Sequence, residues 1–223
     1  MLKHLLLISL LFLPLETAAQ SARAAGQVSQ TSSQSAASDT PVKNLFDEAN
    51  AYNKTKFAEF EAKKIRYSEA LEKQTDREKK QLAAKYASQV RARKLLKGDD
   101  IYYLGLLDWI AENLDGTVES LRTYIADVSA SGDKVQTSRS LVAVVDAKRG
   151  RVSQAVETWN EYQKNEPRKL TEVSRMANEI AKAFVAAKDP VKATAFALEA
   201  YKASKTSSTD PATRFRTLDE MVD

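Results

Sequence analysis

The sequence predicts an all-α protein in which antiparallel helix pairs stack as a short solenoid behind a long helical hairpin. Three observations lead there. From Val42 to Lys97 the chain contains neither glycine nor proline, so nothing in that stretch stops a helix. Beyond Lys97-Gly98, apolar residues recur at steps of three and four between regular turn signals. Residues 147–167, AKRGRVSQAVETWNEYQKNEP, supply the parts of one helix-turn-helix unit. Gly150 permits a left-handed turn and small Ala155 a close helix contact, Trp159 and Tyr162 fill the seam, and Pro167 stops the unit.

The first 24 residues stand apart from this pattern. Met1, Lys3 and His4 make a basic start, Leu5 to Leu15 is almost wholly apolar, and Thr17-Ala18-Ala19 and Ala22-Arg23-Ala24 offer the small residues an exporting peptidase requires. That is the pattern of a cleavable signal, so the expectation is an exported protein, periplasmic or at the cell surface. The apolar run would give only about 16 Å of helix against roughly 30 Å of hydrocarbon, and Pro14 interrupts its end. No cysteine follows the run, so a lipid-modified amino terminus of the bacterial lipoprotein kind is not expected. Residues 25–40, AGQVSQTSSQSAASDT, carry no apolar periodicity and are expected to form a disordered linker.

Residues 41–97 are expected to form the helical hairpin, with Pro41 at its start. Leu45, Ala49, Tyr52, Phe57, Phe60, Lys64 and Ile65 recur at helical steps and predict one stripe. The stretch is too long for a single helix in a compact domain. It should break near Tyr67-Ser68, or at Thr75, where Thr75-Asp76-Arg77-Glu78 reads as a capping box. Residues 54–97 hold 14 Lys and Arg against 6 Asp and Glu, a net of +8, whereas residues 25–53 and 98–223 are both slightly acidic. This basic region suits an anionic envelope surface or an acidic partner. The alternative is a solvated face laced with the pairs Glu59–Lys63 and Glu69–Lys73. Export argues against nucleic acid.

Residues 98–205 read as helix pairs. Leu104, Leu107 and Ala111 line a helix expected to end at Leu114-Asp115-Gly116, and Val118, Leu121, Tyr124 and Ile125 line the next. After a turn at Ser129–Gly132, Leu141, Val142 and Val145 belong to a helix running to Gly150. A third pair spans Leu170 to Lys188 and Pro190 to Ser204, with Met176, Ile180 and Phe184 facing Ala193, Ala197 and Tyr201. Setting Asp115 on Gly150 gives a spacing of 35 residues and aligns Ser120 with Ala155 and Tyr124 with Trp159, while setting Ala155 on Ala193 gives 38. Over residues 100–205 this pattern resembles the tetratricopeptide repeat, whose unit is about 34 residues, with a degenerate third copy. The resemblance implies a protein-binding array. A second resemblance rests on AKYASQVRARKLLKGDDIYYLGLLDWIAENLDG and the repeats after it. It is similar to the helical amino-terminal region of exported bacterial proteins that end in a thioredoxin-like domain, and implies an accessory helical region. The Cys-x-x-Cys pair of such proteins has nowhere to fall here, because the sequence has no cysteine.

The one histidine, His4, lies in the expected signal. Thiol nucleophiles, disulfides, zinc sites built from Cys and His, and a histidine base are therefore excluded from the rest of the chain. No catalytic residue, cofactor or metal is expected. A cell-wall hydrolase using a carboxylate is the enzyme alternative, and no acid stands out for that role. Under the 35-residue register the first helices of the pairs would present Tyr102, Trp109, Ser140, Val144, Arg175, Asn178 and Lys182 on one concave face. Arg175, Asn178 and Lys182 are spaced to grip a carboxylate. Residues 206–223 make an incomplete helix whose Phe215, Leu218 and Val222 share an apolar face, expected to pack on a second copy, a partner, or further sequence of a longer parent. The sequence thus points to a protein that binds or positions a protein partner.

Overall fold

In the computed structural model, residues 40–127 and 131–207 are described. They are all-helical, with eight helices and no strand among the described residues. These are α1 (Val42–Ala62), α2 (Glu69–Arg91), α3 (Asp99–Ile110), α4 (Leu114–Ala126), α5 (Asp133–Lys148), α6 (Val152–Lys164), α7 (Leu170–Ala186) and α8 (Pro190–Ser207). Consecutive helices pack on one another, and in addition α1 packs on α3 and α5 on α7.

The long helical stretch breaks at residues 63–68. Ser68 caps α2, its Oγ accepting from Leu71 N at 3.2 Å. The alternative break at Thr75 does not occur. Thr75 is buried inside α2 and its hydroxyl donates to the Leu71 carbonyl at 2.8 Å, so the local acid pattern that resembles a capping box is a helical interior. The predicted stripe on α1 is also uneven. Leu45 and Ala49 are buried, Tyr52, Phe57 and Phe60 only half-buried, and Ile65 exposed. Glu59 pairs with Lys56 at 3.0 Å and not with Lys63, whereas Lys73 does pair with Glu69.

Four helices end the same way. Lys64, Glu112, Gly150 and Lys188 have φ of 55°, 58°, 71° and 60°, and the following amide reaches back to close the last turn. Ile65 N donates to Phe60 O, Asn113 N to Asp108 O, Arg151 N to Asp146 O and Asp189 N to Phe184 O, at 2.8–2.9 Å. This is the Schellman closure, which satisfies carbonyls the helix leaves open. Only one of the four left-handed residues is glycine. The helix expected to end at Leu114-Asp115-Gly116 therefore ends earlier, at Ile110, with Glu112 taking the left-handed turn. Asn113 caps α4 by accepting from Gly116 N at 3.2 Å, so Asp115 and Gly116 lie in a first turn, not a last one.

This shift corrects the register. The second helices start at Leu114, Val152 and Pro190, a spacing of 38 residues each time, not 35. Thr117, Ala155 and Ala193 then occupy one buried position and Tyr124, Tyr162 and Ala200 another; between them Leu121 and Trp159 are buried, and Ala197 is half-buried. Tyr201, expected on the third seam, is exposed; Phe196 fills that place, stacked on Phe184 and edge-on to Trp159, each with ring centroids 5.6 Å away. Gly105 is needed for the close approach of α3 to α4, since a Cβ there would lie 2.5 Å from Leu121 Cδ2.

Two buried acids recur with the same 38-residue spacing. Asp108 accepts from Arg91 of α2 and from Asn113 Nδ2 at 3.0 Å. Asp146 accepts from Arg122 Nη2 of α4 at 2.7 Å and from Arg151 Nε at 2.9 Å. Each carboxylate thus takes an arginine from the preceding helix pair and a second donor from its own turn. In the third pair the position is Phe184, and the joint is aromatic instead.

Candidate functional site

The first helices α1, α3, α5 and α7 border a cleft of about 460 Å³. Its apolar half is made by Phe46 of α1 with Leu106, Trp109 and Ile110 of α3. Trp109 is half-buried and touches both apolar cores of the molecule, the one formed mainly by α1–α4 and the one formed mainly by α6–α8. Lys148 Nζ sits 6.0 Å from its ring centroid. An aromatic ring fixed by two cores and open on one side is a preorganised apolar contact.

The other half is polar, and contains Thr137 of α5 with Lys169, Glu172 and Arg175 around the start of α7. Its charges are not equivalent. Glu172 is buried and fully engaged, receiving Thr137 Oγ1 at 2.8 Å and the Tyr162 hydroxyl at 3.0 Å. Burial is the chief reason that the Tyr162 hydroxyl is held well above the usual tyrosine pKa, with the Glu172 charge adding to it, so it remains a proton donor to this acid. Lys169 is paired with Asp133 at 2.7 Å. Arg175 has no acid partner among the described residues. Its side chain is exposed, and its Nη2 donates to Ser140 Oγ at 3.0 Å. A guanidinium carries five donors in a planar fork, so Arg175 has capacity left for a carboxylate. The cleft therefore combines an apolar shelf with one uncommitted cation, while its acid is already satisfied.

Of the residues singled out in the sequence, Trp109 and Arg175 meet in this cleft. The expected concave face is otherwise not assembled as drawn. Tyr102, Ser140 and Val144 are buried in the core. Burial pushes the Tyr102 hydroxyl up to about 12. Asn178 is half-buried further along α7 and Lys182 is exposed beside Glu179 at 3.7 Å; neither lines the cleft. Phe215 and Leu218 lie outside the described residues, as do the expected signal and most of the expected linker. Sequence reasoning missed Phe46, Thr137, Lys169 and Glu172. The 38-residue register carried the signal for one of them, since it places Thr137 and Arg175 at the same position of successive pairs.

No group of His, Cys, Asp and Glu suited to hold a metal occurs among the described residues, and no described helix is long and apolar enough to cross a membrane. No family model, curated protein or solved structure matches this chain.

Proposed function

We propose that this protein binds a protein partner, taking an extended segment that bears a carboxylate beside an apolar side chain into the cleft between α1, α3, α5 and α7. The observation that carries the reading is the pairing of Trp109, open on an apolar shelf, with Arg175, a cation that has only a hydroxyl for a partner among the described residues. The carboxylate would meet Arg175 and the apolar side chain would lie on Trp109, Ile110 and Phe46. Helix pairs recurring every 38 residues support a tetratricopeptide-like array as the scaffold, in a unit longer than the usual one of about 34. The basic start and apolar run of residues 1–24 support an exported, envelope-located protein.

Short peptides with one acidic residue flanked by leucine or isoleucine, compared with their amide counterparts, test this directly. Tryptophan fluorescence and calorimetry should register binding of the acidic forms only. Since hydrogen bonds to charged groups contribute about 1.5–3 kcal/mol, Arg175→Ala should weaken binding by roughly 10- to 150-fold. Arg175→Lys should fall between, because it keeps charge and loses the fork. Equal affinity for acid and amide peptides, or an unaffected Arg175→Ala variant, would overturn the reading.

A further inference from the structure

The α1–α2 hairpin is anchored at one end only. Its buried side chains are Val42, Leu45 and Ala49 on α1 and Thr75, Ala83, Ala87 and Val90 on α2, and no residue from 50 to 74 is buried. From Ala49 to Ala62 the helix rises about 20 Å past its last buried residue. The hairpin therefore projects from the molecule, and residues 61–70 at its tip are all exposed.

The chemistry of that tip is unlike a solvated turn. Phe57 and Phe60 pack edge to face with centroids 5.9 Å apart, and Tyr67 lies 6.4 Å from Phe57. Tyr67 of this cluster and Ile65 beside it in the turn are 67% and 46% exposed. Lys63, Lys64 and Arg66 surround it, and none of them is in an ion pair among the described residues. Of the neighbouring acids, Glu59 pairs with Lys56, Glu69 with Lys73, and Glu72 accepts from the Tyr67 hydroxyl, while exposed Glu61 offsets one of the three cations and leaves residues 61–70 at a net of +1. One exposed aliphatic residue alone would mean little. An aliphatic and an aromatic residue at the end of a lever, set among three uncommitted cations, match the boundary between headgroups and acyl chains. There tyrosine rings settle, lysine and arginine stems lie along apolar surface, and their charges meet phosphate.

We infer that the tip of the α1–α2 hairpin docks the protein on an anionic lipid bilayer. A polar acidic polymer would satisfy the cations equally well but would leave Ile65 and Tyr67 in water, whereas a bilayer takes up both. The docking is peripheral. Phe46 and Asn50, the α1 residues that line the cleft, lie toward the anchored end of the hairpin, so a docked molecule keeps the cleft open.

Co-sedimentation of the full chain with vesicles of equimolar phosphatidylglycerol and phosphatidylcholine, and with phosphatidylcholine alone, gives the ratio of affinities for anionic over neutral lipid. All variants carry the same residues 1–39, so any contribution of that segment cancels. Each cation near an anionic surface contributes about fivefold, so Lys63→Ala with Lys64→Ala and Arg66→Ala should lower the ratio about a hundredfold. Ile65→Ser with Tyr67→Ser should weaken anionic-vesicle binding about tenfold while leaving binding to soluble polyglutamate unchanged. Arg175→Ala should leave vesicle binding unchanged, and circular dichroism should show every variant folded. A wild-type ratio near one, or an intact ratio in the triple variant, overturns the inference. So does full vesicle binding by the Ile65/Tyr67 variant, which would make the tip a general polyanion site.

Discussion

Replacing Asp146 by alanine removes a fully buried carboxylate that receives two guanidinium bonds, from Arg122 at 2.7 Å and Arg151 at 2.9 Å. Hydrogen bonds to charged groups are worth about 1.5–3 kcal/mol each, so the two together set a ceiling near 6 kcal/mol. The arginines are not trapped, however: their side chains are 49% and 37% exposed and rehydrate once the acid is gone. The expected loss is therefore toward the lower end for breaking a buried pair, about 3 kcal/mol. At about 2–4 °C per kcal/mol for a domain of this size, the melting temperature should fall by roughly 6–12 °C. Asp115→Ala is the matched control, because that acid pairs with Arg149 at 3.0 Å but is 73% exposed, and its loss should cost less than about 1 kcal/mol. Urea denaturation followed by far-UV circular dichroism measures both. A double-mutant cycle with Arg122→Ala isolates the bond between helix pairs. If Asp146→Ala and Asp115→Ala unfold at the same urea concentration, the buried acid is not a joint between successive pairs.

Lys188 occupies the left-handed position that closes α7, at φ 60°, where a side chain costs about 1 kcal/mol or more; Lys188→Gly should raise the unfolding free energy by roughly 0.5–1 kcal/mol. Gly150→Ala should lower it by about 1 kcal/mol although a Cβ there meets nothing within 4 Å, and equal midpoints for Gly150→Ala and wild type would refute the strain argument. Asp108 titrates above the usual carboxylate range, because burial outweighs the opposing contacts with Arg91 and Asn113. The folded protein then holds the proton more tightly than the unfolded chain, so this group's contribution to stability falls as pH rises from the ordinary carboxylate value through the raised one. The stability of wild type relative to Asp108→Asn should accordingly decline over that window and level off above it; a relative gain with rising pH would show that the arginine contact dominates.

Helix class, hairpin and the Gly150 unit were legible in the residues themselves. An absence of glycine and proline from 42 to 97 and the small and aromatic positions at Ala155, Trp159 and Tyr162 are local features, and local backbone preference responds to them directly; of the two breaks open to the hairpin, the one near Tyr67-Ser68 is the one that occurs. The 38-residue period was legible between the second and third pairs, from Ala155 to Ala193, but not between the first and second, because Asp115-Gly116 looks like the left-handed turn at Gly150. Glu112 and Lys188 adopt that conformation without being glycine: the cost of about 1 kcal/mol is small beside what the packed helices on either side contribute, so tertiary contacts override it. Gly116, which drew the register to 35, is small for another reason. A Cβ there would lie 2.5 Å from Arg91 Nη2 and 2.8 Å from Asp108 Oδ2, inside the buried ion pair.

The same limit applies to the candidate sites. Arg175 and Trp109 could be named from helical spacing, but Tyr102, Ser140 and Val144 share that spacing and are buried, since helical periodicity tells which residues share a face and not whether that face meets solvent. Glu172 is an ordinary surface acid by composition, and only the tertiary structure shows that it accepts from Thr137 and Tyr162, 35 and 10 residues away in sequence, and makes no ion pair with Arg175. The sequence by itself determined which segments are helices, because that depends on each residue and its near neighbours. Tertiary structure decided which polar groups are spent on one another and which are left without an ion-pair partner among the described residues, because that depends on contacts between helices that no local pattern records.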